Sequence, residues 1–296
     1  MRRRPLEHVL VTGAAGLLGR DVVTLLKSSG VGVTALELRQ SDELVVDRVV
    51  LGSASDVEVV RDALSGVDAV IHLAALREPS LGTAEEVFCG NTAATFTVLH
   101  QAAEAGIERA VIASSYSVVG LPFTVGPRQP AYLPIDEQIP TQIENPYPLS
   151  KHVDELTAQM MWWRHGLSVV AIRFPFLGRL DEELPERAAQ FAADPDLGAT
   201  EFWTYLETRD AAAAAVAGLT EPEPGFHVVG LAAPETLVPY PTAQLLDVYY
   251  PTVPRRTVFE GRVAAIDSRK AQSLLNWKAE HLWSTDELQF DAVGRP

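Results

Sequence analysis

The sequence predicts an α/β fold in which a parallel sheet lies between layers of helices. Short apolar runs rich in β-branched residues alternate with longer helical stretches over the first two-thirds of the chain. Strands that are apolar on both faces are typical of parallel sheets covered by helices. A glycine-rich turn separates the first of these runs from the first helical stretch. With right-handed crossovers, these observations predict a doubly wound sheet.

The individual elements follow in a regular order. Apolar runs predict strands at 9–11, 31–36, 46–51, 69–73, 110–113 and 168–172. The stretches between them predict helices at 17–29, 57–64, 84–105 and 147–165. Gly106 and Gly166 close the last two helices. This alternation is the one that parallel pairing of the strands requires.

The pattern changes after about Phe174. Prolines become frequent, and the predicted elements become shorter than in the first part of the chain. We therefore expect a main body at 5–174 and a small region at 175–296 that caps the carboxyl edge of the sheet. The two are expected to interleave, because the run 226–229 and the alanine-rich helix at Ala211 look like core elements.

Length, charge and cysteine content exclude several classes of protein. The 296 residues suggest about two domains or one large one. A net charge of −15 argues against nucleic acid or an anionic membrane surface as the main partner. Cys89 is the single cysteine, so no intrachain disulfide can form and a reducing cytoplasm is expected. The basic start at 1–5 lacks a signal peptide's apolar core, and the run 211–219 is too short to span a membrane.

The turn after the first strand has the chemistry of a phosphate-binding loop. Its sequence TGAAGLLG has glycines at positions that allow a tight turn, close approach to a pyrophosphate, and close packing of helix on strand. The amino end of the helix then offers N–H groups to the phosphates. The alternative is a tight turn without a ligand, but the position at the first βα turn favours a dinucleotide and a Rossmann-type sheet. The predicted cofactor contacts are Gly13, Ala15, Gly16, Leu17, Leu18 and Gly19.

Glu37 ends the second predicted strand, where a carboxylate can select the nucleotide. It follows Gly13 by 24 residues, near the spacing of the acid that binds an adenosine ribose. A carboxylate there accepts hydrogen bonds from both ribose hydroxyls and repels a 2′-phosphate. Glu37 therefore favours NAD over NADP, although Arg39 would soften the preference. The alternative is that Glu37 only ends a strand in solvent.

Tyr147 and Lys151 form the predicted catalytic pair. They lie about one turn apart at the start of a helix, so their side chains face the same way. A free tyrosine has a pKa of about 10, too high for a base at neutral pH, but a nearby ammonium stabilises the phenolate. Tyr147 is thus expected to exchange a proton with a substrate hydroxyl or carbonyl during hydride transfer. Ser115, at a strand end, would orient that oxygen, although each signal alone also fits a helix surface or a loop.

Together these motifs resemble the extended short-chain dehydrogenase/reductase superfamily, and within it the NAD-dependent epimerase/dehydratase family, over about residues 7 to 230. The matching segments are 12–19, 72–75, 90–92, 115, 132–137, 147–151, 173–175 and 209–212, with a weaker match at 267–278. The resemblance implies that Leu73, Ala74, Ala75 and Phe174 line the cofactor. It also implies that Asn91 supports the site, that Ser115, Tyr147 and Lys151 are catalytic, and that Tyr147 and Lys151 contact the cofactor, Lys151 through the nicotinamide ribose.

Departures from the family pattern narrow the reaction. The segment 115–117 lacks the acid pair of dehydratase relatives, so dehydration is not expected. Phe176 replaces an asparagine that holds a diphosphate in nucleotide-sugar epimerases, and the chain is short for such an enzyme. These points favour NAD-dependent oxidation or reduction of a small sugar-like or sugar-acid substrate. The alternatives are an NAD-dependent nucleotide-sugar epimerase and a non-catalytic dinucleotide-sensing module.

Further residues are candidates for contacts with a substrate, a metal or a second copy of the chain. Candidate substrate contacts are Arg77, Tyr116, Phe176 and Arg209, while Trp203 and Tyr205 are expected in the core. His72, His152 and His165 have no metal-ligand spacing, so no metal is expected. The segment 160–163 with the helix 84–105 is a candidate homodimer interface, the alternative being ordinary core.

Overall fold

A computed structural model describes residues 5–124, 126 and 128–285. The strands are β1 (His8–Thr12), β2 (Gly32–Glu37), β3 (Arg48–Leu51), β4 (Ala69–His72), β5 (Arg109–Ser115), β6 (Ser168–Phe174), β7 (Leu177–Gly178), β8 (Leu206–Glu207) and β9 (Phe226–Gly230). Seven of them form a parallel sheet in the order β3-β2-β1-β4-β5-β6-β9. The predicted Rossmann-type α/β fold is therefore confirmed.

Helices cover both faces of this sheet. They are α1 (Leu17–Ser28), α2 (Val57–Ala63), α3 (Ala84–Glu104), α4 (Pro146–His165), α5 (Glu183–Ala193), α6 (Thr208–Thr220), α7 (Thr242–Tyr249) and α8 (Arg269–Leu275). Alternate residues of β1 enter different cores, because side chains of a strand point to opposite faces. Val9 and Val11 pack with α1, α6 and α8, whereas Leu10 packs with α2, α3 and α4.

The strand order reverses between β1 and β4, and ligands of open α/β sheets bind at such a point. The strands β1, β2, β4, β5 and β6 end at this carboxyl edge, and predicted site residues lie on their last positions or directly after them. Strand β5 is longer than predicted, since its full length pairs with β6 from Arg109–Ser168 to Ser115–Phe174. The carboxyl edge of the sheet therefore positions the candidate site.

The second region contributes a strand and a helix to the main body. Strand β9 pairs with β6 at the sheet edge, and α6 packs on α1. A separate core forms beside the main one, with large side chains such as Phe202, Trp203 and Tyr205 fully buried. The leucines of the short β7–β8 pair pack with the core of the main sheet instead. The boundary at residue 174 stays a prediction, and residues 1–4 and 286–296 lie outside the described residues. In the part of the chain that is described, no helix has the length and apolar character to cross a membrane.

Candidate active site

The glycine loop leaves β1 and enters α1 with its backbone packed closely against neighbouring backbone. Gly13 has φ +70°, and a Cβ placed there would lie 2.8 Å from the backbone nitrogen of Ala74. A Cβ on Gly19 would lie 2.1 Å from the carbonyl oxygen of Gly13. Both positions therefore require glycine. Gly16 is the N-cap of α1 and provides no side-chain cap, so the first turn of α1 presents backbone N–H groups at the carboxyl edge of the sheet.

Glu37 lies directly beside this loop. Its Oε1 accepts a hydrogen bond of 2.6 Å from the backbone N–H of Ala15. Burial raises the pKa of Glu37, and the hydrogen bond from Ala15 opposes the rise. The structure thus brings the predicted ribose-binding acid to the predicted phosphate loop. Glu37 therefore engages the Ala15 N–H, although the sequence predicted that Ala15 would contact the cofactor.

The ends of β1 and β4 are joined by a buried polar chain. Thr12 Oγ1 accepts hydrogen bonds from the N–H groups of Leu73 and Ala74, both at 3.2 Å, and lies 2.7 Å from His72 Nδ1. The Thr12 hydroxyl hydrogen is then directed at Nδ1, which places the ring hydrogen of His72 on Nε2, 3.2 Å from Thr95 Oγ1. Burial and the charge of Lys151 lower the pKa of His72 to about 3, so the imidazole is neutral.

Asn91 fastens the loop after β4 to the start of α4. Its Oδ1 accepts from the N–H of Leu76 at 2.8 Å, and its Nδ2 donates to the Leu76 carbonyl and to Ser150 Oγ. Ser150 Oγ in turn donates to the carbonyl oxygen of Tyr147. Protein groups therefore engage both ends of the amide, and Asn91 acts here as a support for the first turn of α4.

Helix α4 carries Tyr147 and Lys151 to the carboxyl end of β5, the strand that ends in Ser115. Asn145 caps α4 by accepting from the Tyr147 N–H, which places Tyr147 in the first turn. One turn later, Lys151 Nζ donates to the carbonyl oxygen of Ala113 in β5 at 2.9 Å. Helix α4 also packs against the 3₁₀ turn that begins after Ser115. Ser115 Oγ accepts from Ser117 N at 3.1 Å and from Ser117 Oγ at 2.9 Å.

A buried ion pair locks α4 to β5 and β6 behind these residues. Arg173 contacts both oxygens of Glu155 at 2.8 Å, and Ser114 Oγ donates to Glu155 Oε1 at 2.6 Å. Burial acts to raise the pKa of Glu155, but the hydrogen bonds from Arg173 and other neighbours lower it to about 2. The pair is ionised at neutral pH and fixes the helix that carries Tyr147.

The end of β6 forms the next wall of the site. Phe174 pairs in register with Ser115 and is buried. Two residues later, the ring of Phe176 is covered by the guanidinium of Arg187 at 4.1 Å from its centroid. Both oxygens of Glu201 accept from Arg187 Nη2 at 2.7 Å. Phe176, Arg187 and Glu201, the Phe176 cluster below, are therefore held together by stacking and charge.

The remaining candidate substrate residues lie in other surroundings. Tyr116 is buried in the second core, and its hydroxyl donates to the carbonyl oxygen of Thr200 at 2.5 Å. Arg77 is exposed, and Arg209 pairs with Glu207 at 2.9 Å while half of its side chain remains in solvent. The contacts of Tyr116 and Arg209 are those of structural residues, so Phe176 has the strongest position of the four.

Sequence reasoning missed Asp154 and the two partners of Phe176. Asp154 is 1% exposed, and its Oδ2 lies 3.4 Å from Lys151 Nζ. The spacing of three residues after Lys151 was available as a signal, because such residues are neighbours on a helix. Arg187 and Glu201 are separated by 14 residues and meet through the tertiary fold, so no local pattern identifies them.

His165 has neighbours that the sequence did not suggest. Ligand atoms of His100, Glu104 and His165 lie within 4.8 Å of one another. However, Gln101 Nε2 donates a hydrogen bond to His100 Nδ1, so the ring hydrogen of neutral His100 is on Nε2. In this tautomer neither ring nitrogen of His100 is free to bind a metal ion. The expectation that the protein binds no metal stays a prediction.

A cavity of about 550 Å³ lies beside α8, away from these residues. Two of the side chains that line it are arginines paired with carboxylates. Arg256 lies 3.7 Å from Asp136, and Arg269 forms an ion pair with Asp267. Ser115, Tyr147 and Lys151 do not line this cavity. Its size alone therefore does not make it the site of the predicted chemistry.

Comparisons with known proteins agree with this geometry. Residues 9–194 match the model of the NAD dependent epimerase/dehydratase family. The chain is 37% identical over 116 residues to sterol demethylase protein B of Methylococcus capsulatus, which covers 38% of this chain and 35% of that protein. It is 31% identical over 182 residues to L-arabinose 1-dehydrogenase (NAD(P)(+)) of Haloferax volcanii, covering 60% of this chain and 70% of that protein.

A solved structure resembles nearly the whole chain. It is a short-chain dehydrogenase/reductase superfamily protein from Agrobacterium tumefaciens with bound NAD. The TM-score is 0.70 at 26% identity, with 95% of this chain and 94% of that chain covered. The curated matches are shorter, and that to sterol demethylase protein B spans about a third of that protein.

Proposed function

The chain belongs to the NAD-dependent epimerase/dehydratase family, and we propose that it is an NAD-dependent oxidoreductase acting on a small sugar or sugar acid. The observation that carries the proposal is the position of Lys151. Its ammonium is held beneath the Ala113 carbonyl, one helical turn from Tyr147 and beside the strand that ends in Ser115. This arrangement is suited to proton exchange with a substrate oxygen.

The residues around the glycine loop fit a dinucleotide. Gly13 and Gly19 leave no room for a Cβ, and the uncapped start of α1 offers N–H groups to phosphate oxygens. Glu37, anchored by Ala15, would accept hydrogen bonds from the adenosine ribose. Leu73, Ala74, Ala75 and Phe174 would border the cofactor. A bound nicotinamide would supply the hydride acceptor or donor.

Tyr147 would act as the acid/base in this site. In the oxidation direction its phenolate takes the proton of the substrate hydroxyl as that carbon is oxidised, and in reduction the phenol returns the proton. Lys151 would stabilise the phenolate by its positive charge. Ser115 Oγ, already oriented by Ser117, would donate to the same substrate oxygen and hold it in place. Asn91 would position the start of α4.

Two features support a small substrate. The Phe176 cluster fills the space beyond the end of β6 with an aromatic ring and a neutralised ion pair. Such a wall offers no free cation to a diphosphate. A sugar or sugar acid is consistent with the likeness to L-arabinose 1-dehydrogenase. Residues 175–285 would form the capping region around it.

An apolar face on α3 and α4 supports assembly into a homodimer. Phe96 on α3 is 46% exposed, and Leu156 and Trp163 on α4 are 51% and 74% exposed. Leu149, Leu156 and Trp163 recur every seven residues, so they share one side of α4. Exposed apolar stripes of this kind often pair with a second copy of the same surface. Cys89, a free exposed thiol, is suited to a reducing cytoplasm.

An NAD⁺ reduction screen tests the proposed function. The purified protein would be mixed with NAD⁺ and with aldoses, uronic acids and simple alcohols, and NADH absorbance would be followed. We expect NADH to accumulate with a sugar or sugar acid, with NADP⁺ about tenfold less effective. Interconversion of a nucleotide sugar without net NADH would identify an epimerase instead. NAD⁺ binding without turnover of any substrate would favour a sensing module.

A further inference from the structure

The buried ammonium group of Lys151 requires a negative charge beside it. Its residue is 4% exposed, and its ammonium has the Ala113 carbonyl at 2.9 Å and the Asp154 carboxylate at 3.4 Å as described partners. A buried ammonium without a counter-charge is strongly disfavoured, because little water remains to solvate it. The residue that supplies the negative charge therefore controls whether Lys151 stays charged.

The other groups around Lys151 do not supply that charge. His72, from β4, is neutral and hydrogen-bonded to Thr12 and Thr95. Glu155 is the next acid on α4, but Arg173 contacts both of its oxygens. In the described part of the chain, Asp154 is the carboxylate that pairs with Lys151.

We propose that Asp154 is a positioning residue, the counter-ion that keeps Lys151 in its ammonium form beneath the Ala113 carbonyl. This inference rests on the proposed function, in which the Lys151 charge makes Tyr147 a usable base. In this role Asp154 acts on the reaction through its contact with Lys151.

Asp154 has two opposing effects on Tyr147, and distance decides between them. A carboxylate repels a phenolate directly, which would weaken Tyr147 as a base. However, the two residues are seven positions apart, roughly 10 Å along the helix axis, so this repulsion is small. The contact with Lys151 is 3.4 Å. The indirect effect through the lysine charge is therefore the larger one, and it favours the phenolate.

The titration of Asp154 itself supports this geometry. Burial raises its pKa to about 6, and the charge of Lys151 and the Thr95 hydroxyl limit the rise. Lys151 and Glu155 on α4 and Thr95 on α3 are the charged and polar groups that act on it, while His72 on β4 interacts with Lys151. Asp154 is thus ionised at neutral pH and becomes protonated in mild acid, where Lys151 loses its counter-charge.

Lysine NMR tests the proposal without a substrate. The chain has four lysines, and the other three, Lys27, Lys270 and Lys278, are on the surface, so the Nζ and Cε signals of Lys151 can be assigned by difference. In the wild-type protein we expect these signals to inflect near pH 6 as Asp154 takes up a proton. In Asp154→Asn the inflection disappears, and Lys151 loses its ammonium signal at a pH about one unit or more lower than in the wild type. Identical lysine titrations in both proteins, or no inflection in the wild type, would overturn the proposal.

A pH profile of kcat/KM extends the test to the reaction. The acid limb of this profile is the range in which kcat/KM falls as the pH is lowered. In Asp154→Asn we expect the midpoint of this limb to move to higher pH by about one unit, so that kcat/KM at neutral pH falls about tenfold. Glu155→Gln is the matched control, because it removes the adjacent buried carboxylate that pairs with Arg173. This control should lower stability. Because the Glu155 charge raises the pKa of Asp154, it should also move the limb slightly to lower pH, opposite to the shift expected in Asp154→Asn. An acid limb that stays put or moves to lower pH in Asp154→Asn contradicts the counter-ion role. Absence of hydride transfer would refute the proposed function. The NMR titration would still decide whether Asp154 is the counter-ion of Lys151, because it needs no substrate.

Discussion

The cofactor side and the proposed substrate side of the candidate site differ in the groups that form them. On the cofactor side the contacts come from backbone: Gly13 against Ala74, Gly19 against Gly13, and the uncapped start of α1. On the proposed substrate side they come from side chains that meet through the tertiary fold, such as Phe176 and Arg187. A backbone-built surface depends on a few small residues at fixed spacing. A surface built from side chains depends on the packing of a whole region.

This difference separates what each kind of substitution should change. Substitutions in the glycine loop should affect NAD binding whatever the substrate is. Substitutions beyond β6 should affect the substrate while leaving the cofactor alone. Tyr147 and Lys151 lie at the start of a helix fixed by Asn91, Glu155 and Arg173.

The largest expected effect comes from Tyr147→Phe. Removing the hydroxyl removes the acid/base, so turnover should fall by about 10³-fold or more. The ring and its edge-on contact with Phe123 remain, so NAD⁺ affinity should change by less than about threefold. Steady-state rates and fluorescence titration with NAD⁺ measure the two quantities. Retained turnover would show that another group moves the proton.

Gly19→Ala should break the cofactor side alone. Its Cβ would lie 2.1 Å from the Gly13 carbonyl, so the loop must shift. We expect NAD⁺ binding to weaken by at least about thirtyfold, measured by calorimetric titration. Gly90→Ala, in α3 with open space around the new methyl group, is the matched control and should bind NAD⁺ normally. Equal NAD⁺ affinity in both variants would argue against the loop as the binding site.

Glu37→Gln should change the choice of cofactor. The variant keeps an acceptor for Ala15 but loses the charge that repels a 2′-phosphate. The ratio of kcat/KM for NAD⁺ over NADP⁺ should fall by about tenfold. An unchanged ratio would assign the preference to another residue.

Arg187→Ala should affect the substrate side alone. It removes the cation that covers Phe176 and leaves Glu201 without its partner. The KM for the sugar should rise by about fivefold, while the KM for NAD⁺ stays the same. A parallel rise in both KM values would mean that the two sides are coupled.

The smallest effect concerns stability in mild acid. The lowered pKa of His72 means that the unfolded chain binds more protons, so stability falls as the pH drops below about 6.5. The raised pKa of Asp154 has the opposite sign between about 4 and 6, where the folded chain binds more protons. The two contributions should largely cancel in the wild type. In Asp154→Asn, urea unfolding should show stability decreasing more steeply with acid over this range, and equal slopes would contradict the assignment.

The sequence predicted the cofactor side in more detail than the substrate side, because the cofactor side depends on spacing along the chain and the substrate side on tertiary packing. Glycines 13, 16 and 19, Glu37 and the Tyr147–Lys151 pair are local signals, since spacing along one turn, strand or helix determines where they lie. Tyr116 was a candidate substrate contact, but its hydroxyl bonds to Thr200, which is 84 residues away. Likewise, no local pattern shows that Arg187 covers Phe176. Ala15 was assigned to the cofactor, and only the fold shows that Glu37 reaches its N–H.

Counting NADH in a single turnover tests the central claim most directly. The protein would be mixed in excess over NAD⁺ with the best substrate of the screen, and free NADH and the sugar product would be measured after separation from the protein. We predict one NADH and one oxidised sugar for each NAD⁺ supplied. Recovery of the NAD⁺ together with an epimerised sugar, or no hydride transfer at all, would contradict the account.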